Sequence, residues 1–301
     1  MAIATGDESR FTLDRPDGAA LACYRWSGEG APRAVVVIAH GMGEHARRYR
    51  PALAKLLQSG ITLYALDHRG HGVTIALMAG RAGDFGPGGF DAVVEDLAAL
   101  VQRARADHPG LPLFLLGHSM GSFIGQAFLI EHGHLLSGAV LVGTTAVDLL
   151  ADAMSKETDA LAALNRPFEP ARTPCDWLST DAREVDAYLN DPFCGFSLVP
   201  ESMVSLLSQG GRLADVKQLR RIPGRLPLYI LQGGRDSLTT TFGQLQPLLD
   251  RYSTVGLKPV VAIYPDGRHE ILNEVNRDEV VGNLLTWINE VIGTAARSAG
   301  V

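Results

Sequence analysis

Gly117-His118-Ser119-Met120-Gly121 sets a serine between two glycines in the pattern G-x-S-x-G. Leu113 to Leu116, just before it, read as a short apolar strand, and Ser122 to His132 read as a helix. A serine on a sharp strand-to-helix turn has strained backbone that pushes its hydroxyl out of the sheet, where it can attack a carbonyl. The flanking glycines leave room for that turn, because a Cβ there would collide with neighbouring backbone. The five-residue pattern is common by chance; the strand before it and the helix after it give it meaning.

A serine hydroxyl is a weak nucleophile and needs a base within hydrogen-bond reach, itself oriented by a carboxylate. On such a strand-turn-helix frame the partners follow in the order serine, acid, histidine. His269, in the loop after the last strand-like run, is the candidate base. Asp236, in Leu231-Gln232-Gly233-Gly234-Arg235-Asp236, is the better candidate acid, with Asp148 as the alternative. Asp266 and Glu270 stand too close to His269 in sequence to be first choices. A tetrahedral intermediate also needs donors for its oxyanion. The backbone N–H groups of Met120 and of Met42, in His40-Gly41-Met42-Gly43, are expected to supply them. The His118 side chain is expected to point away from that of the serine. His40, His68 and His71 read as ligands of loop backbone. Asp67-His68-Arg69-Gly70-His71-Gly72 reads as a rigid turn with Asp67 and Arg69 as an internal ion pair, not a metal site, since no third ligand stands nearby.

These residues need strands to carry them. Residues 9–14 and 19–26 read as two strands joined by a turn at Arg15-Pro16-Asp17-Gly18. Ala34–Ala39, Ile61–Leu66, Leu113–Leu116 and Gly138–Val142 are near-continuous apolar runs, as strands buried on both faces require, and Leu228–Gln232 and Pro259–Tyr264 also read as strands. Helical stretches lie between them: up to Gly60, from about Phe90 to Asp107, Thr240 to Val255, and Arg277 to Gly293. Strands alternating with helices imply a mostly parallel, doubly wound α/β sheet. Ligands of such sheets sit beyond the carboxyl ends of the strands, where every motif above falls. Between about Ala146 and Ile222 the apolar runs give way to mixed helical segments with five prolines. The expected division is a core of residues 1–145 and 223–301, with residues 146–222 inserted as a helical lid.

The chain has 301 residues, 46% of them hydrophobic, enough for a large core. Its net charge of −6, with no basic block, argues against nucleic acid as a partner. No apolar run is long enough to cross a bilayer, and the first ten residues lack the charged and apolar regions of a secretory leader. Three cysteines without metal-type spacing give no disulfide framework, so a reduced cytoplasmic location is expected. Oligomeric state cannot be read from the sequence.

Together the motifs resemble the α/β-hydrolase fold, and within it the monoacylglycerol lipase and lysophospholipase-like branch. The resemblance rests on His40 to His45, Asp67 to Gly72, Gly117 to Gly121, Asp236, and Arg268 to Glu270. It is supported by Asp176-Trp177-Leu178-Ser179 and Asp191-Pro192-Phe193-Cys194-Gly195-Phe196 in the inserted stretch. The chain departs from that branch at Val73 to Met78 and at Ser237-Leu238. The resemblance implies an eight-stranded sheet with a helical cap, and an ester hydrolase that acts on substrates with one long acyl chain. It implies Ser119, Asp236 and His269 as the triad, Met42 and Met120 as oxyanion donors, and no metal or cofactor. Trp177, Phe193 and Phe196 are candidates for the substrate wall. Phe168, Leu178, Leu198, Met203, Leu206 and Leu207 join them as residues that pack the lid or line an acyl tunnel. The lid is a candidate for transient contact with a membrane surface, although no basic amphipathic helix supports this. An amidase or aminopeptidase, an acyltransferase, and a non-enzymatic receptor are the alternatives on the same scaffold.

Overall fold

Each apolar run of the sequence becomes a strand, and eight strands form one sheet. The computed structural model describes residues 8–299, with side chains through residue 294; the leader reading at the N-terminus falls mainly on residues outside these. The strands are β1 (Glu8–Asp14), β2 (Ala20–Trp26), β3 (Ala34–Ala39), β4 (Ile61–Leu66), β5 (Leu113–His118), β6 (Gly138–Val142), β7 (Leu228–Gly233) and β8 (Val260–Tyr264). Their order across the sheet is β1-β2-β4-β3-β5-β6-β7-β8. From β4 to β8 every pairing is parallel; β1 and β2 form an antiparallel hairpin added at one edge.

Parallel strands must be covered on both faces, and the alternation along β3 shows how this chain does it. Val35 and Val37 pack toward the helices Gly89–Asp107 and Met120–His132, among Phe90, Leu97 and Phe128. Val36 and Ile38 point the other way, into a second core with Leu56, Leu284 and Trp287. This two-sided cover clamps the centre of the sheet, and the loops that leave β3, β5, β7 and β8 carry the candidate residues.

Between β6 and β7 the described chain makes no strand. It forms helices at Val147–Met154, Ala160–Asn165, Ala182–Asn190 and Pro200–Leu207, with shorter turns beyond. Asp159 and Asp181 cap two of these helices, each accepting a backbone N–H, and Pro200 opens another. Backbone bonds that tie this segment down include Gly195 N to Gly43 O, Val199 N to Gly83 O, and Glu270 N to Leu178 O.

Two expectations need correction. The helix expected from Thr240 to Val255 is broken: one wide turn at Leu238–Phe242 comes first, and the helix runs only from Leu245 to Thr254. Three successive β-branched threonines and an extended Gly243 interrupt it, and the hydroxyls of Thr239 and Thr240 both bond to Asp236 O instead. Asp67 and Arg69 are not an ion pair. Arg69 binds Asp96 with two nitrogens and Asp17 with a third, while Asp67 accepts from Tyr24 Oη and the amides of Ala46 and Val73. Neighbours two apart on a tight turn point in different directions, so nearness in sequence was a poor guide.

Candidate active site

Ser119 follows β5 directly and has φ 53° and ψ −122°, a conformation that L-residues adopt only under constraint. Two observations show what enforces it. Its N–H donates to Val142 O at 2.9 Å, which locks the turn to β6. A Cβ on Gly121 would fall within the backbone of Ala39 and His40, and one on Gly117 within that of Gly121, so both glycines are obligatory. The helix Met120–His132 begins at the next residue, and its first N–H groups are unpaired by the helix itself.

His269 stands in the loop after β8 and is buried. Its Nδ1 lies 3.0 and 2.9 Å from the two carboxylate oxygens of Asp236, which is wholly buried in the loop after β7. Its Nε2 is buried without a hydrogen-bond partner. Ser119 and His269 line one chamber, although no hydrogen bond joins them; such bonds are often long in unliganded sites. The Asp236 carboxylate is itself fixed: Leu238 N donates to one oxygen at 2.8 Å, and Gln232 Nε2 to the other at 2.7 Å. Gln232 was missed in the sequence, where it was read only as strand. Asp148 is elsewhere, held by two bonds from Arg251.

The loop after β3 presents Met42. Glu44 Oε1 takes the Gly41 N–H at 2.6 Å, and His40 Nδ1 lies 2.7 Å from Gly41 O. The His40 Nε2 accepts from His68 N at 3.0 Å, so Nδ1 carries the proton and donates to that carbonyl. Across a trans peptide, the Met42 N–H points opposite to the pinned Gly41 carbonyl. His40 and His71, which bonds Arg69 O, are ligands of loop backbone as read; both nitrogens of His68 lack partners.

Beside Ser119, Asp236 and His269 lies an ionic network that the sequence did not reveal. Arg48 makes two bonds to Glu270 and one to Glu44, all 2.7 Å; both carboxylates are buried and Arg48 is partly so. Burial raises the proton affinity of both carboxyls, but Arg48 outweighs it and holds Glu44 well below, and Glu270 below, the ordinary carboxylate value. His118 joins through Nδ1, 3.2 Å from Glu44 Oε1. Burial pulls its imidazole down, yet Glu44 more than offsets this and raises it above 6.5. His118 does not simply turn away from Ser119: its ring centroid lies 4.9 Å from that of His269, and it lines the same chamber.

Two cavities meet at Ser119, Met42, Leu161 and Trp177. The larger, about 410 Å³, is walled by Glu44, His118, Tyr188, Phe196, His269 and Glu270. The smaller, about 50 Å³, has walls of Leu150, Met154, Leu198, Met203, Leu207 and Phe242. Trp177 and Phe196 therefore face the site. Phe193 does not line either cavity; it is 42% exposed, its ring edge-on to His45. Phe168 lies under the guanidinium of Arg268, 4.2 Å from ring centroid to Cζ.

An eight-stranded α/β sheet with a strained serine after β5 and an Asp–His pair on later loops is the architecture of an α/β-hydrolase, in the class of carboxylic ester hydrolases. The comparisons with known proteins narrow this. Residues 30–276 match the family described as serine aminopeptidase, S33, and the chain belongs to that family, in its monoacylglycerol lipase-like branch. It is 31% identical to a monoacylglycerol lipase of Mycolicibacterium smegmatis over 266 residues, 87% of this chain and 90% of that one. It is 30% identical to the monoglyceride lipase of Homo sapiens over 294 residues, 96% and 91% of the two chains. Among solved structures, a thermostable carboxyl esterase from Bacillus coagulans in complex with glycerol superposes with a TM-score of 0.85 at 29% identity, covering 95% of this chain and 99% of that one. No helix among the described residues is long and apolar enough to cross a membrane.

Proposed function

We propose that the chain hydrolyses monoacylglycerols or similar single-chain esters through a Ser119–His269–Asp236 triad and an acyl-enzyme. The observation that carries this reading is the buried His269–Asp236 pair whose free Nε2 shares a chamber with a strained Ser119. Ser119 Oγ attacks the ester carbonyl as His269 Nε2 takes its proton, and Asp236 steadies the imidazolium that forms. The N–H groups of Met42 and Met120 receive the negative oxygen. His269 then protonates the leaving alcohol, and water repeats the sequence to free the acid. Every group needed is a side chain or amide of this chain.

The two cavities suggest how the substrate lies. The apolar cleft suits an acyl chain, and the chamber, with Glu44, His118 and Glu270 on one wall, suits the hydroxyls of a leaving glycerol. A volume of about 50 Å³ is far below that of ordinary ligand pockets, so the cleft must widen, and its flexible Met154 and Met203 allow this. Residues 146–222 then serve as a cap that closes on the chain. The family description names an aminopeptidase, but Arg48 occupies two of the chamber's acids, Glu44 and Glu270, and the third, Asp159, accepts a backbone N–H at the start of its own helix. Acyl transfer to an alcohol differs only in the second nucleophile. Three free cysteines fit a reducing compartment such as the cytoplasm. Purified enzyme is expected to release fatty acid from 1-monooleoylglycerol, and Ser119→Ala to release none. Faster cleavage of aminoacyl p-nitroanilides than of esters would reject the reading.

A further inference from the structure

One cluster of metal-ligating side chains lies outside the chemistry above, at the seam between the inserted segment and the loop after β3. His45 comes from that loop; Asp191 and Cys194 come from the turn after the helix Ala182–Asn190. All three are half-buried, and one donor atom from each lies within 4.8 Å of the others. We propose that His45, Asp191 and Cys194 bind a borderline-soft divalent cation, zinc by chemistry, which fastens the inserted segment to the β3 loop.

The turn is built to present its donors together. Cys194 N donates to Asp191 O at 3.0 Å and closes it, and Phe193 N donates to Asp191 Oδ1 at 2.8 Å. That leaves Asp191 Oδ2 for His45 Nε2, 3.0 Å away. The carboxylate and the thiol, three residues apart on one turn, thus both lie close to the imidazole. The Phe193 ring covers the imidazole edge-on at 5.9 Å between centroids. Bonds of about 2.0–2.3 Å to nitrogen, oxygen and sulfur place neighbouring ligand atoms of a tetrahedral zinc about 3.3–3.8 Å apart. The cluster therefore closes on an ion by moving about 1 Å, with water as the fourth ligand.

The donor set and the local charge select the ion. An imidazole, a carboxylate and a thiol together favour zinc over calcium or magnesium, which prefer oxygen alone. The charges acting on the thiol are Glu44, Asp191 and Glu270 against Arg48, a formal excess of two negative charges. On binding, the S–H bond breaks, the sulfur–metal bond forms, and the proton passes to solvent. Beside this site Gly195 N already bonds Gly43 O, so the ion reinforces an existing contact one residue from Met42.

Cobalt(II) reports such a site directly, without any assay of activity. Titrated into metal-free protein, it is expected to give a thiolate-to-cobalt charge-transfer band and tetrahedral d–d bands at one ion per chain. Cys194→Ser should lose the charge-transfer band. His45→Gln should bind at least tenfold more weakly. Zinc should raise the melting temperature of the wild type and not that of Cys194→Ser. If Cys194→Ser fails to fold, Asp191→Asn must show the weakened binding instead. No charge-transfer band in the wild type, a band that survives in Cys194→Ser, or affinity unchanged in both other variants would overturn the proposal.

Discussion

On one side of Ser119 lies a cleft of about 50 Å³ walled by leucine, methionine and phenylalanine; on the other lies a chamber of about 410 Å³ bordered by Glu44, His118 and Glu270. The two differ in how they are held. The cleft is bounded largely by side chains of the inserted segment, whose contacts are dispersive and can rearrange at small cost. One wall of the chamber is made of charges that Arg48 bonds in fixed positions, and rearranging them would strand a buried charge; the facing wall again belongs to the inserted segment. The cleft can adapt to what fills it, while the chamber keeps one fixed wall. Ser119 and Met42 belong to both, so the proposed mechanism sets the reacting carbonyl where an adaptable wall meets a rigid one.

That comparison can be broken at several points. The largest effect should come from the seam itself: Asp236→Asn should lower kcat by about 10⁴, the scale on which a triad loses its acid. Asp148→Asn, which only releases Arg251, should stay within a few-fold, and equal losses in steady-state kinetics would undo the assignment. Arg48→Met should disable the rigid side. It leaves Glu44 and Glu270 buried without their partner, so denaturant unfolding should show a loss of about 3–5 kcal/mol. Gln232→Leu should cost about 1.5–3 kcal/mol of transition-state stabilisation, read as a fall in kcat with KM little changed, because it strips one donor from the Asp236 carboxylate.

The adaptable side is tested by size. Leu207→Trp should cut kcat/KM on p-nitrophenyl decanoate at least tenfold and on the acetate less than twofold. Equal losses, or a wild type indifferent to chain length, would remove the cleft from the account. The smallest effect is in acid. Burial, with His71 beside it, pulls His68 down to about 3, and burial pulls His71 down to about 4; both are neutral in the fold. A folded value below the unfolded 6.5 means that the unfolded chain takes up more protons, so stability falls as pH drops below about 6.5. His68→Leu should make that fall shallower by about 1 kcal/mol per pH unit in urea titrations at pH 5 and 6.

Legibility in the sequence followed the kind of constraint. Gly117, Ser119 and Gly121 could be read because strained backbone admits few residues, and the requirement is local. The central strands β3 to β7 could be read because a parallel strand buried on both faces is apolar throughout; β8, at the edge, is apolar yet leaves Val260, Val261 and Ile263 exposed. The Arg48–Glu270 pair could not, since its partners are 222 residues apart and any of the chain's arginines could have filled that place. Gln232 was hidden because strand polarity says nothing of what lies beyond the strand end. The Asp67–Arg69 misreading has the same root: partner choice for a charge is a tertiary property. Phe193 looked like a pocket wall by composition, but its turn points it at His45.

Labelling with a fluorophosphonate, followed by peptide mass spectrometry, asks most directly whether Ser119 is the nucleophile. A single adduct on Ser119, absent from Ser119→Ala and greatly slowed in Asp236→Asn, is the expected result. An adduct on another residue, or undiminished labelling of Ser119→Ala, would contradict the assignment.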